Sequence, residues 1–161
     1  MTTLTALEIE QQSHPQPGQV RFHLAFPVND MVATKAFYTA LGCTCGRENP
    51  HALILNFYGH QLVAHLVKEP LQPQRGIYPR HFGLVFSQLS DWQQLQQRAE
   101  QLQLTFFENP KLRFADTPLE HQTFFLEDPS FNLLEFKYYR YPEAIFGQQD
   151  LKLIGDKTYA G

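Results

Sequence analysis

Cysteine is nearly absent from this chain: Cys43 and Cys45 are the only two among 161 residues. They stand two positions apart, too close for an ordinary disulfide in an extended segment. A metal site built on them would need further thiolates that the chain does not have. So few thiols fit a reduced, cytoplasmic setting. Basic clusters are also missing. Thirteen Lys and Arg stand against sixteen Asp and Glu, giving a net charge of -3, and no arginine ladder draws the chain to nucleic acid. No basic amphipathic stretch suggests a membrane surface, and no apolar run is long enough to span a bilayer. The opening MTTLTALEIEQQSHPQPGQV lacks the basic head and apolar core of a secretory signal. What is present is apolar material, 43% of the chain, enough for one packed domain or two small fused modules.

Residues 1–19 are polar, contain Pro15, Pro17 and Gly18, and read as an arm. VRFHLAFPV, 20–28, reads as a strand. Asn29 or Asp30 can cap a helix to about 41, with Val32, Ala36, Phe37, Ala40 and Leu41 as its apolar stripe and Gly42 as its stop. Strands are expected at 43–48, 51–57 and 61–67. A connector rich in Pro and Gly covers 70–79. The order then restarts. RHFGLVF, 80–86, is strand-like, and Ser90 or Asp91 can cap a helix to about 102 that carries Trp92, Leu95, Ala99 and Leu102 on one side. Further strands are expected at 104–108, 121–127 and 132–139, with 112–120 as a loop and 141–161 as a tail. Two modules, 20–69 and 80–140, thus repeat strand, helix, three strands, in pattern more than in letters. Each is too small to be stable alone, so they should pack together or exchange elements with a second chain.

Strand side chains alternate between faces. Phe22, Leu24 and Phe26 share one face, His23, Ala25 and Pro27 the other. Phe82, Leu84 and Phe86 oppose His81, Gly83 and Val85, and Leu134, Phe136 and Tyr138 oppose Leu133, Glu135 and Lys137. The bulky faces suit a core against the helices. The other faces offer two imidazoles and one carboxylate, with Ala25 and Gly83 leaving space beside them. Two histidines and a carboxylate are the usual holder of non-haem Fe(II), and an ion there would offset the desolvation of Glu135. Alternatively, Glu135 pairs at a strand edge with Lys137, Arg21 or Arg80, and His81 only caps a packed strand.

HLAFPVNDMVATKAFYTALG, HFGLVF and TFFLEDPSFNLLEFKYY together resemble the vicinal oxygen chelate proteins, which include glyoxalase I, bleomycin and fosfomycin resistance proteins and extradiol dioxygenases. The resemblance spans about 20–140. It implies an α+β fold of two βαβββ modules, whose curved sheets form a half-open barrel around a metal cleft. It also implies His23, His81 and Glu135 as metal ligands. The metal would be Fe(II) foremost, with Mn, Ni or Zn as alternatives. Phe131 stands at the family's usual glycine place, which implies another turn shape or an aromatic wall. Asp128 and Asn132 read as turn builders. Glyoxalase I-like members carry a fourth, acidic ligand on the strand matching 60–67, where this chain has no acid. Gln61 and His65, on one face, are the substitutes. That departure points away from glyoxalase I and toward a dioxygenase-like enzyme for a small aromatic or enediol substrate with vicinal oxygens. A glyoxalase-type lyase or isomerase and a resistance-type binding protein are the alternatives. His121 and His65 are the candidate acid-base residues, whereas Tyr138 faces away from Glu135, and His51 and His60 sit at turns. Arg113 either meets an anionic substrate or is a solvated loop residue. Trp92 and Tyr38 pack or meet a partner. Pairing into a homodimer is also expected.

Overall fold

The computed structural model describes residue 15 and residues 18–155. Most of the arm, 1–19, and the last part of the tail therefore lie outside the described residues. The first module comprises β1 (His23–Val28), α1 (Met31–Leu41), β2 (Thr44–Asn49), β3 (Ala52–Phe57) and β4 (His60–Leu66). The second comprises β5 (Phe82–Phe86), α2 (Leu89–Gln101), β6 (Phe106–Arg113), β7 (His121–Glu127) and β8 (Leu133–Tyr139), followed by a 3-10 turn at Pro142–Ile145. The two four-stranded sheets have matching orders, β1-β4-β3-β2 and β5-β8-β7-β6. In each the first strand pairs parallel with the last, and the remaining ladders are antiparallel. A parallel pair needs a crossover, and α1 and α2 lie within the two crossovers.

The start of α1 follows from Asp30, whose carboxylate accepts from Ala33 N at 2.9 Å. Gly42 ends it in the left-handed region at φ 106, as expected. The expected stripe is partly wrong. Val32 is 82% exposed and Ala36 is exposed, while Thr34, Phe37, Tyr38 and Leu41 face inward. The helix axis is rotated so that the aromatic pair meets the core. α2 begins two residues before the expected cap, on Gln88 with no side-chain cap bond, because Trp92, Leu95 and Ala99 fix its position by burial.

One apolar core joins both modules. Phe26, Leu53, Leu55, Phe57 and Leu62 from the first sheet meet Phe124, Leu126, Leu134 and Phe136 from the second, with α1 and α2 between. The bulky strand faces do face inward, as the alternation predicts, except at Phe22, which precedes β1 and is 57% exposed. Trp92 packs rather than meeting a partner, and its indole N–H donates to Phe136 O at 2.9 Å. Tyr38 is fully buried, and its hydroxyl donates to Asp128 Oδ2 at 3.0 Å. Asn132 Nδ2 donates to Pro27 O at 3.0 Å, tying the start of β8 to the end of β1.

Phe131 corrects an expectation. It takes the glycine-like backbone, φ 64, rather than another turn shape. The Asp128 carboxylate holds the turn by accepting from Ser130 N at 2.8 Å and Asn132 N at 2.9 Å.

Candidate functional site

The faces turned away from the core differ between the sheets. On the first sheet, His23, Ala25, Gln61, His65 and Asn56 are exposed, Val63 and Ile54 are half-buried, and β2 is exposed throughout. On the second sheet, His121, Thr123, Phe125, Leu133 and Glu135 are all buried. The connector explains part of this, since Ile77 packs on Phe125 and Leu133, with Tyr78 and Phe107 beside them. The tail covers the rest.

Glu135 lies in the middle of β8, 5% exposed. Its Oε1 accepts from the Thr123 hydroxyl at 2.8 Å and lies 3.4 Å from Arg113 Nη1. Its Oε2 lies 3.0 Å from His81 Nε2 and 3.2 Å from Lys137 Nζ. Burial by itself would raise the Glu135 pKa, but the His81 hydrogen bond, the Lys137 charge and the Thr123 hydroxyl outweigh it and hold the carboxyl at about 2. His81 stands just before β5, and its Nδ1–H donates to Ile77 O at 2.7 Å, so the connector sets its orientation. Its pKa is raised, chiefly by the hydrogen bond to Glu135.

Arg113 is neither solvated nor in a loop. It ends β6, is 5% exposed, and reaches Glu135 from the sheet face that it shares with its ladder partner His121. Two bulges carry β6 past Pro110, and that irregularity hid the strand in the sequence. Gly83 is likewise not there to leave space. A Cβ at this position would lie 1.7 Å from Glu135 O, so the β5–β8 backbone contact itself requires glycine. Neither of these two roles shows as a strong local signal in the sequence.

His121 heads β7, 4% exposed. Its Nδ1–H donates to Leu119 O at 2.9 Å, which leaves Nε2 as a lone-pair acceptor, buried with no hydrogen-bond partner. Its pKa is lowered, first by burial and then, after an opposing contribution from the Leu119 carbonyl, by Lys137 and Arg113. The ring lies 4.7 Å from Tyr139 and 5.7 Å from Phe114, centroid to centroid.

His81 and Glu135 are thus brought together, with His121 on the same sheet face. His23 and His65 sit on the bare face of the first sheet. The Nδ1–H of His23 donates to Gln61 Oε1 at 2.8 Å. Among the described residues no three His, Cys, Asp or Glu side chains are grouped to hold a metal ion. His81 and Glu135 thus set an imidazole nitrogen anchored through its other nitrogen beside an ionised carboxylate, and no third such group joins them among the described residues. Cys43 and Cys45 are free thiols, the first buried and the second exposed, and burial pushes the Cys43 thiol up to about 12.

Paired βαβββ modules, with a carboxylate and a histidine together on the face of the second sheet that is turned away from the core, define the class of fold. The sequence matches the model of the Glyoxalase/Bleomycin resistance protein/Dioxygenase superfamily over residues 21–136, and the chain belongs to that family. A glyoxalase/bleomycin resistance protein/dioxygenase from Alicyclobacillus acidocaldarius is 40% identical, with a TM-score of 0.76 over 83% of this chain and 100% of that one. A lactoylglutathione lyase from Agrobacterium tumefaciens shares the fold at 18% identity, with a TM-score of 0.59 over 82% of this chain and 99% of that one. A fosfomycin resistance protein from Listeria monocytogenes does so at 12% identity, with a TM-score of 0.61 over 76% and 94%. A search of curated proteins gave no match. No helix among the described residues is long and apolar enough to cross a membrane.

Proposed function

We propose that this protein is a metal-dependent, dioxygenase-like enzyme for a small aromatic or enediol substrate with adjacent oxygens, with a site completed by a second copy of the chain. The observation that carries this reading is the His81–Glu135 pair, 3.0 Å apart in a nearly dry wall, with the imidazole fixed on Ile77 O. These two would hold the ion, with His23 of a second copy as the third donor. The bare face around His23 and the unpaired outer edges of β1 and β5 support a second copy as the cover. Fe(II) suits this donor set best, with Mn, Ni or Zn as alternatives. When bound, such an ion supplies Lewis acidity and open positions for vicinal oxygens.

The chain's own side chains do the remaining work. His121 Nε2 receives the proton of a substrate hydroxyl. The Lys137 ammonium opposes the resulting anion. Ile77, Phe125 and Leu133 keep water from Glu135. His65 lines the same cleft from the first sheet of the second copy. His81 must release its Nε2 proton to ligate, so metal uptake should strengthen as pH rises. The absence of an acid from β4, HQLVAHL, argues against a glyoxalase-type lyase or isomerase. A metal-free binding protein is the second reading, favoured by one observation: Lys137 and Arg113 already neutralise Glu135.

Anaerobically purified protein, loaded in turn with Fe(II), Mn, Ni and Zn, should retain Fe(II) and consume oxygen with catechol. Glu135→Ala should lose both. Unchanged metal retention in Glu135→Ala would overturn the ligand assignment. Ligand affinity indifferent to a chelator would favour the second reading.

A further inference from the structure

The tail does not simply trail from the second sheet. From the 3-10 turn onward, residues 144–155 run back over His121, Lys137 and Tyr139 and line one side of a half-open cavity of about 540 Å³. That is within the range of small-molecule sites. The seat of the tail is specific. Gly155, at φ 67, comes so close to the Tyr78 hydroxyl that a Cβ would lie 2.0 Å from it. Tyr78 in turn packs edge-on against His81, with ring centroids 6.1 Å apart. The strap is therefore docked on the connector that orients His81.

The cavity lining has a definite chemistry. Phe114 and Tyr139 give it aromatic walls, Lys137 and Lys152 line it, and no Asp or Glu among the described residues does. His121 is among the lining residues, and its Nε2 lone pair is buried and without a partner. An unmatched buried acceptor costs stability, and a ligand hydroxyl would satisfy it.

We infer that the strap, residues 144–155, closes a binding pocket for a small hydroxyaromatic carboxylate, whose hydroxyl donates to His121 Nε2 and whose carboxylate pairs with Lys137 and Lys152. This deepens the proposed function by naming a substrate class. It rests on reading this face as a small-molecule site, but it requires no metal.

The test uses full-length, metal-free protein and calorimetric titration with 4-hydroxybenzoate and with benzoate, which lacks the hydroxyl. The wild type should bind 4-hydroxybenzoate about tenfold more tightly than benzoate. His121→Phe should erase that preference. Gly155→Val should weaken both ligands, because its side chain meets the Tyr78 hydroxyl and a β-branched residue strains a backbone at φ 67. A nitrogen-15 spectrum of the wild-type imidazoles provides a check free of folding artefacts: His121 Nε2 should shift on adding 4-hydroxybenzoate. Equal affinity for the two ligands, an unmoved Nε2 resonance, or a Gly155→Val protein that binds normally would each overturn the inference. Success here with metal loading indifferent to Glu135→Ala would sink the metal reading alone. Normal Fe(II) loading with no 4-hydroxybenzoate binding would sink only the pocket.

Discussion

Glu135 puts a full charge inside a β-strand, and its neighbours decide whether that is tolerable. Because its pKa falls from 4.5 to about 2 on folding, the unfolded chain takes up a proton before the folded one does. Its contribution is complete above pH 4.5 and is lost as pH falls toward 2, about 3 kcal/mol in all for metal-free protein. Urea unfolding across that window should show the loss, and Glu135→Gln should flatten it. The raised pKa of His81 acts in the opposite sense: its contribution is present below pH 6.5 and fades as pH rises through the folded value, so the two windows separate. Phe131 carries a different cost, a left-handed backbone at φ 64 without glycine's freedom. Phe131→Gly should raise stability by about 1 kcal/mol in the same assay, and a loss would mean that packing of the ring outweighs the backbone strain. That a glycine is usual at 131 was legible from the family pattern. That phenylalanine would adopt the same angle was not, because the Asp128 hydrogen bonds that enforce it form only in the closed turn.

At the scale of the element, strand parity was the most readable feature. The alternation that separated His81 and Glu135 from Phe82 and Phe136 is the alternation observed, since period two is built into an extended backbone. Register was not readable. Gly83 lies opposite Glu135 in a parallel ladder, and the clash a Cβ would meet at Glu135 O depends on that neighbour. Gly83→Ala should therefore cost about 3 kcal/mol in thermal or urea unfolding and loosen the β5–β8 pair. An unchanged midpoint would show that the strands can part at no cost. β6 ran longer than its sequence suggested because its bulges break the alternation, and Arg113 was misplaced as a result.

For the whole molecule, the decisive feature is the contrast between the two sheet faces turned away from the core. The second is roofed by the connector and the strap, the first is bare. If the site forms between two copies, variants lacking different ligands should complement each other. His23→Ala and Glu135→Ala should each fail to retain Fe(II). Unfolded together and refolded, they should regain about a quarter of the wild-type metal content, since half the pairs are mixed and each mixed pair holds one intact site. No recovery, with light scattering showing a monomer, would leave His23 without a role in metal binding.

The amino-acid order alone determined the repeat of strand, helix and three strands, the inward faces, the caps at Asp30 and Gly42, and the three chemically distinctive side chains. These are local properties, set by periodicity and by single-residue backbone preference. Only the tertiary structure decided that His81 and Glu135 meet while His23 stays on a separate sheet, that Arg113 and Lys137 share the carboxylate, and that the tail runs back over His121. Each of those depends on which edges and faces of distant segments come to rest together, and that is fixed by packing in three dimensions rather than by spacing along the chain.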